Sequence, residues 1–244
     1  MKFINTQASE ASSSDIRINR FFTENGLMSR READRVIEAG EVTINGRRAK
    51  LGDRVQPEDR VALRGREVRT GLKRPVILAY NKPVGVECTT NEDVPGNIIS
   101  AVRYPERVFH VGRLDKDSEG LILLTNIGDI VNKILRAEHC HEKEYVVTVD
   151  QPINDTQMAK LRGGVRLSDG MTRPCRITRE NGRRIRMVLT EGRNRQIRRM
   201  VASLGLEVTQ LRRVRIMGIK LGGLPRGHWH KFTKAEADAL LQQL

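Results

Sequence analysis

Six short stretches between residues 76 and 221 read as β-strands, and together they limit the chain to a fold built around a sheet. VILAYNKPVG, RVFHV, GLILLTN, EYVVTVD, RRIRMVLTEG and LRRVRIMGIKL are rich in β-branched and large apolar residues and are closed by turn formers. Helical patterns sit among them: GDIVNKILRAE, INDTQMAKLRGG and NRQIRRMVASLG, with KAEADALLQQL near the end. Strands outnumber helices. The expected fold is therefore α+β, with a mixed, mostly antiparallel sheet and flanking helices.

A different pattern occupies residues 15–72. Ile18, Phe21 and Phe22 recur at helical spacing, and Gly26 is a helix stop. Ser29 and Glu32 form a capping-box pair, so a second helix starts at Ser29 and ends at Gly40. Its apolar stripe is Ala33, Val36 and Ile37; Arg30, Arg31 and Arg35 fall on the solvent side. Alternating apolar and polar residues follow, with Asn45-Gly46 as a tight turn between short strands. GLKRP, 71–75, reads as a linker. The expected organisation is a flexible polar tail over 1–14, a small domain over 15–72 and a larger one over 73–244.

Charge narrows the function. The chain carries 44 Lys+Arg against 30 Asp+Glu, a formal net charge of +14. Such an excess attracts polyphosphate backbones and releases their counterions. No long basic amphipathic helix and no run of 18 apolar residues is present, so nucleic acid is favoured over membrane as the partner. A solvated face is the ordinary explanation of Arg30, Arg31 and Arg35. Bases recurring across the segment, with Arg47, Arg48 and Lys50 beside the hairpin turn, favour phosphate binding instead. Aromatic residues are only 4%, too few for a broad stacking platform. The N-terminus lacks a signal-peptide core, and Cys88, Cys140 and Cys175 show no CxxC spacing, so a cytoplasmic protein is expected.

Few constellations carry chemistry. His139 and His141 can share a strand face but make only two metal ligands, so a solvated loop is expected there and no metal. GLPRGHWHKF, with the only tryptophan, reads as packing against the sheet end. No Walker or GxSxG pattern exists. Two stretches differ. In HVGRLDKDSEGLILLTN, Asp115 sits at the rim of a strand in a basic chain. In TEGRNRQIRRM, Arg193, Arg195, Arg198 and Arg199 crowd around a turn into a helix, while Ile197 and Met200 face inward. An arginine drawn into a cleft needs a carboxylate, and Asp115 is a candidate; a turn cap is the alternative that the pattern leaves open.

These residues carry a resemblance. NKPVG (81–85), GRLDKDSEGLILLTN, KEYVVTVD (143–150) and EGRNRQIRRM (191–200) occur in the order found in RsuA-type rRNA pseudouridine synthases, and the chain looks closest to members acting on large-subunit 23S rRNA. The 15–72 segment resembles the small S4-type RNA-binding domain shared by a ribosomal small-subunit protein and some tyrosyl-tRNA synthetases. The resemblance implies a monomeric isomerase that converts a chosen uridine in ribosomal RNA, free or in pre-ribosomal particles, within a central cleft and without metal or cofactor. It implies Asp115 as the essential carboxylate, Tyr145 stacking near the uracil, and Arg198 as the ion-pair partner of Asp115. It implies Arg113 as the wedge that fills the gap left by the flipped base, with Lys82 and Pro83 shaping the wall under the site. Arg195, Arg30, Arg31 and Arg35 are expected to meet RNA. A tRNA substrate and a non-catalytic RNA-binding or ribosome-assembly role are the competing readings. Some members carry a long basic tail; this sequence stops at Leu244, so tail-assisted binding is not expected.

Overall fold

The computed structural model describes residues 15–68, 75–135 and 141–243. The chain divides into two compact units, 1–74 and 75–244.

The first unit follows from local signals. β1 (Ile16–Arg17) leads into α1 (Ile18–Glu24), and α2 (Arg30–Glu38) begins at a complete Ser29–Glu32 capping box. β2 (Val42–Ile44) and β3 (Arg47–Arg48) turn at Asn45 and Gly46, both at positive φ, the conformation that a two-residue hairpin loop demands. β4 (Arg54–Val55) pairs with β1, and β5 (Val61–Leu63) and β6 (Arg66–Glu67) complete a sheet of order β3-β2-β5-β6. Ile18, Phe21, Phe22, Ala33 and Ile37 pack on Val42, Ile44 and Val61. The core takes one face of each helix, so Arg30, Arg31 and Arg35 are exposed.

The second unit holds a nine-stranded sheet of order β13-β14-β10-β15-β9-β7-β17, with β16 on β15 and β8 on β9. In chain order its elements are β7 (Ile77–Lys82), α3 (Ile98–Val102), β8 (Phe109–Val111), β9 (Glu119–Thr125), α4 (Gly128–Leu135) and β10 (Lys143–Val149). Then come α5 (Asp155–Gly163), β11 (Arg166–Leu167), β12 (Gly170–Met171), β13 (Arg176–Arg179), β14 (Arg184–Leu189) and α6 (Gln196–Ala202). β15 (Val208–Ile216), β16 (Ile219–Lys220), β17 (Trp229–Lys231) and α7 (Lys234–Leu241) complete it. β9 and β15 run parallel, whereas the other sheet neighbours are antiparallel, so the sheet is mixed as expected.

Side-chain alternation builds a core on each face. Leu78, Tyr80, Ile122 and Leu124 point to one side, covered by Met158 and Leu161 of α5 and Ile197 and Met200 of α6. Ile77, Ala79, Leu121 and Leu123 point to the other, covered by Ile134 of α4 and Leu240 of α7. This double burial explains why β7 and β9 are apolar runs rather than alternating patterns. GLPRGHWHKF supplies β17, the edge strand on β7, and Trp229 Nε1 donates to Val102 O at 3.0 Å. His139 and Cys140 lie outside the described residues; among those described, no cluster of three or more His, Cys, Asp or Glu suits a metal. Likewise, no described helix is long and apolar enough to cross a membrane.

Candidate active site

The loop between β8 and β9 carries Asp115 and is held from several sides. Leu114 N–H donates to Cys88 Sγ (3.4 Å), Ser118 N–H to Asp115 O (3.0 Å) and Gly85 N–H to Lys116 O (2.8 Å). Leu114 itself is buried, anchoring the loop between the exposed Arg113 and the half-buried Asp115. The Asp115 side chain is 30% exposed. It faces a cleft of about 640 Å³, lined also by Arg113, Lys143, Tyr145, Arg195 and Arg213. Leu114, Leu189, Ile197, Leu211 and Ile216 supply apolar lining.

Strand register positions the cleft's other groups. Lys143 and Tyr145 are two apart on β10 and share one face. Tyr145 lies opposite Met187 on β14 and Arg213 on β15. Burial, and then the charge of Arg213, push the Lys143 ammonium below its ordinary value. Arg213 is itself buried, with Nε donating to Leu121 O at 2.7 Å and Nη1 to Arg113 O at 3.4 Å. His110 pairs through Nδ1 with Gly112 O (2.8 Å), and burial lowers its basicity against that hydrogen bond. Sequence reasoning missed Lys143, Arg213 and His110. The EKEY spacing was a usable signal for Lys143; Arg213 is recognisable only once β15 is laid beside β10.

The arginine motif differs from expectation. Arg198 does not make its ion pair with Asp115. Its Nη2 donates to Asp117 O (2.9 Å) and Ser118 Oγ (3.2 Å), its Nη1 to Val208 O (3.1 Å), and its Nε lies 3.3 Å from the Asp117 carboxylate. The guanidinium near Asp115 belongs to Arg195, with Nη1 3.9 Å from Oδ2. The reason is where α6 begins. Arg195 is its N-cap in left-handed conformation (φ 46°, ψ 33°), which directs it to the Asp115 loop, whereas Arg198 stands a turn inside the helix. Arg199 pairs with Asp169 at 2.9 and 3.0 Å. Arg193 caps carbonyls of the same β11–β12 hairpin, at Asp169 and Met171.

Lys82 is fully buried and is not among the residues that line the cleft. Its Nζ donates to Pro83 O (2.9 Å) and Val86 O (2.7 Å), fixing the turn after β7, and burial pulls its pKa down. Pro83 is half-buried in that turn and, like Lys82, stands outside the cleft lining. Arg30, Arg31 and Arg35 lie in the first unit, apart from this constellation in the chain.

Comparison with known proteins agrees with the family resemblance. Residues 76–203 match the family described as RNA pseudouridylate synthase, and residues 24–61 match the S4 domain. The chain is 47% identical to "Dual-specificity RNA pseudouridine synthase RluF" of Escherichia coli K12, over 91% of this chain and 77% of that protein. It is 37% identical to "Ribosomal large subunit pseudouridine synthase B" of Shigella flexneri, over 92% and 82%. An "Uncharacterized RNA pseudouridine synthase" of Aquifex aeolicus is 35% identical, over 93% and 94%. A solved structure described as a pseudouridylate synthase superposes with a TM-score of 0.68 at 30% identity, covering 92% of this chain and 99% of that one.

Proposed function

The chain belongs to the RNA pseudouridylate synthase family, and on that premise we propose that it converts a specific uridine of 23S ribosomal RNA to pseudouridine. The observation that carries this reading is the joint presence of Asp115 and Tyr145 in one cleft bordered by Arg113, Lys143, Arg195 and Arg213. The cleft's volume falls in the range of about 300–1,000 Å³ typical of sites for small ligands. Residues 15–72 bind RNA through Arg30, Arg31 and Arg35, and residues 73–244 carry the chemistry.

The reaction breaks the bond from base to sugar, turns the base and rejoins it through carbon. A stacked base must first be extruded, at a cost of about a few kcal/mol. Arg113, exposed beside Asp115, fills the gap the base leaves. Asp115 then acts in one of three ways: attack on the sugar, attack on the ring, or removal of a sugar proton. Each needs the ionised carboxylate. RNA closing over the 30%-exposed side chain raises the cost of that charge, and the nearby Arg195 opposes the rise. The Tyr145 ring offers an apolar face on which the uracil can turn. Tyr145→Phe separates ring from hydroxyl. A kcat loss of about a hundredfold or more assigns the hydroxyl to ring-proton removal, since positioned acid–base groups contribute about 10²–10⁴.

The high positive charge favours a monomer away from RNA, acting in the cytoplasm on free or assembling rRNA with no metal or cofactor. Incubating the purified chain with unmodified 23S rRNA and with tRNA, then mapping pseudouridine, tests the assignment. A new pseudouridine in the rRNA is expected; modification of tRNA alone, or of neither, contradicts it.

A further inference from the structure

The Arg195 guanidinium lies between two carboxylates. Its Nη1 is 3.9 Å from Asp115 Oδ2, yet Nη1 and Nη2 donate to Asp117 Oδ1 and Oδ2 at 3.4 and 3.2 Å. Asp117 thus receives the two hydrogen bonds, and Asp115 keeps only the longer charge contact. We propose that Asp117 is a positioning residue: it holds Arg195 off Asp115, so that the Asp115 carboxylate stays open to the incoming nucleotide. The proposal rests on the isomerase reading above.

The physical argument starts from the guanidinium fork, which prefers to pair with both oxygens of one carboxylate. If Arg195 closed on Asp115 in that way, both catalytic oxygens would be occupied and turned away from the nucleotide. Asp117 offers an alternative carboxylate, itself fixed by Arg198, whose Nε lies 3.3 Å from Oδ2 and whose Nη2 binds the Asp117 carbonyl. Arg195 and Asp117 are 47% and 45% exposed, so a phosphodiester can reach the outer edge of the guanidinium. The loop has supports besides the Asp117 carboxylate. Backbone bonds at Leu114, Lys116 and Ser118, with the Arg198 bonds to Asp117 O and Ser118 Oγ, already hold it. A purely structural role is therefore separable from a positioning one.

A double-mutant cycle on tritium release from uracil-labelled rRNA makes the separation. Wild type, Asp117→Asn, Arg195→Ala and the double variant are compared for kcat, KM and urea midpoint. Asp117→Asn is expected to lower kcat about tenfold, with KM within about twofold and an unchanged midpoint, because coupled neighbours show interaction effects of that order. In the Arg195→Ala background the same change is expected to cost less than about twofold, because the side chain it restrains is gone. Asp117→Glu, which retains a carboxylate, recovers most of the loss. Equal losses in both backgrounds overturn the role of Asp117, as does a lowered midpoint or an effect on KM alone. A wild-type chain that releases no tritium takes down the isomerase reading and this proposal with it.

Discussion

Gly120→Ala tests the junction on which the catalytic loop stands. Gly120 is the second residue of β9, at φ +105°, and lies across the parallel ladder from Arg213 of β15. A Cβ at Gly120 would stand 2.2 Å from the Arg213 carbonyl oxygen and 2.8 Å from its nitrogen. Both are backbone atoms, so neither can rotate away. The unfavourable φ alone costs about 1–3 kcal/mol for an L-residue. Relieving the overlap requires β9 and β15 to part, which breaks the bond from Arg213 Nε to Leu121 O, 2.7 Å long. Leaving such a buried group unmatched adds about 1–3 kcal/mol. Together Gly120→Ala should destabilise the protein by about 4 kcal/mol, a large part of the roughly 5–15 kcal/mol that holds most domains folded. Urea unfolding followed by fluorescence of Trp229, the only tryptophan and part of the same sheet, reads this directly. Gly182→Ala is the control, because nothing stands within 4 Å of its added methyl; it should change stability by less than about 0.5 kcal/mol. A cost below about 1 kcal/mol for Gly120→Ala refutes the close parallel contact and the argument built on it.

Three further outcomes follow from the geometry. The hydrogen bond from Arg215, with a second from Arg176, holds the Glu142 carboxyl below its ordinary value of 4.5. A depressed carboxyl adds stability above its unfolded pKa and loses it as pH falls through the folded one, so below pH 4.5 wild type should lose stability more steeply than Glu142→Gln; parallel acid limbs in urea midpoints contradict this. Burial pushes the Cys175 thiol up to about 11, so a thiol reagent at pH 8 should leave it unmodified in the native protein and label it in urea, as peptide mapping shows; rapid native labelling contradicts the burial. Ser29→Ala removes the capping box of α2 and should cost about 1 kcal/mol; hydrogen exchange of α2 amides that is as slow as in wild type contradicts that contribution.

Features coded by neighbouring residues are legible in the sequence alone. Ser29 and Glu32 are three apart and satisfy each other, and Asn45-Gly46 adopts the turn its residue types favour. The apolar runs of β7 and β9 report their burial on two faces. Features created by distant contacts are not legible. β17 has three exposed residues and becomes a strand only because β7 offers it an edge. β13, whose four residues include two arginines, forms against β14, and the five-residue α3, capped by Asn97, is too short for a periodic pattern to announce it. The site shows the same division. Asp115, Tyr145 and Arg113, which the motifs single out, line one cleft, and each lies on or beside a strand whose pattern is plain. The motifs misassign the arginines, because the left-handed turn at Arg195 sets which guanidinium approaches which carboxylate. Arg199 pairs with Asp169 of the β11–β12 hairpin, a distant contact that helical spacing does not show.

The central claim is that Asp115 performs the chemistry while the surrounding cations hold the RNA. The most direct test measures tritium release and RNA binding together, using uracil-labelled 23S rRNA with wild type and Asp115→Asn. The account predicts that Asp115→Asn binds the RNA within a few-fold of wild type and releases no tritium above background. Turnover by Asp115→Asn at a substantial fraction of the wild-type rate would contradict it.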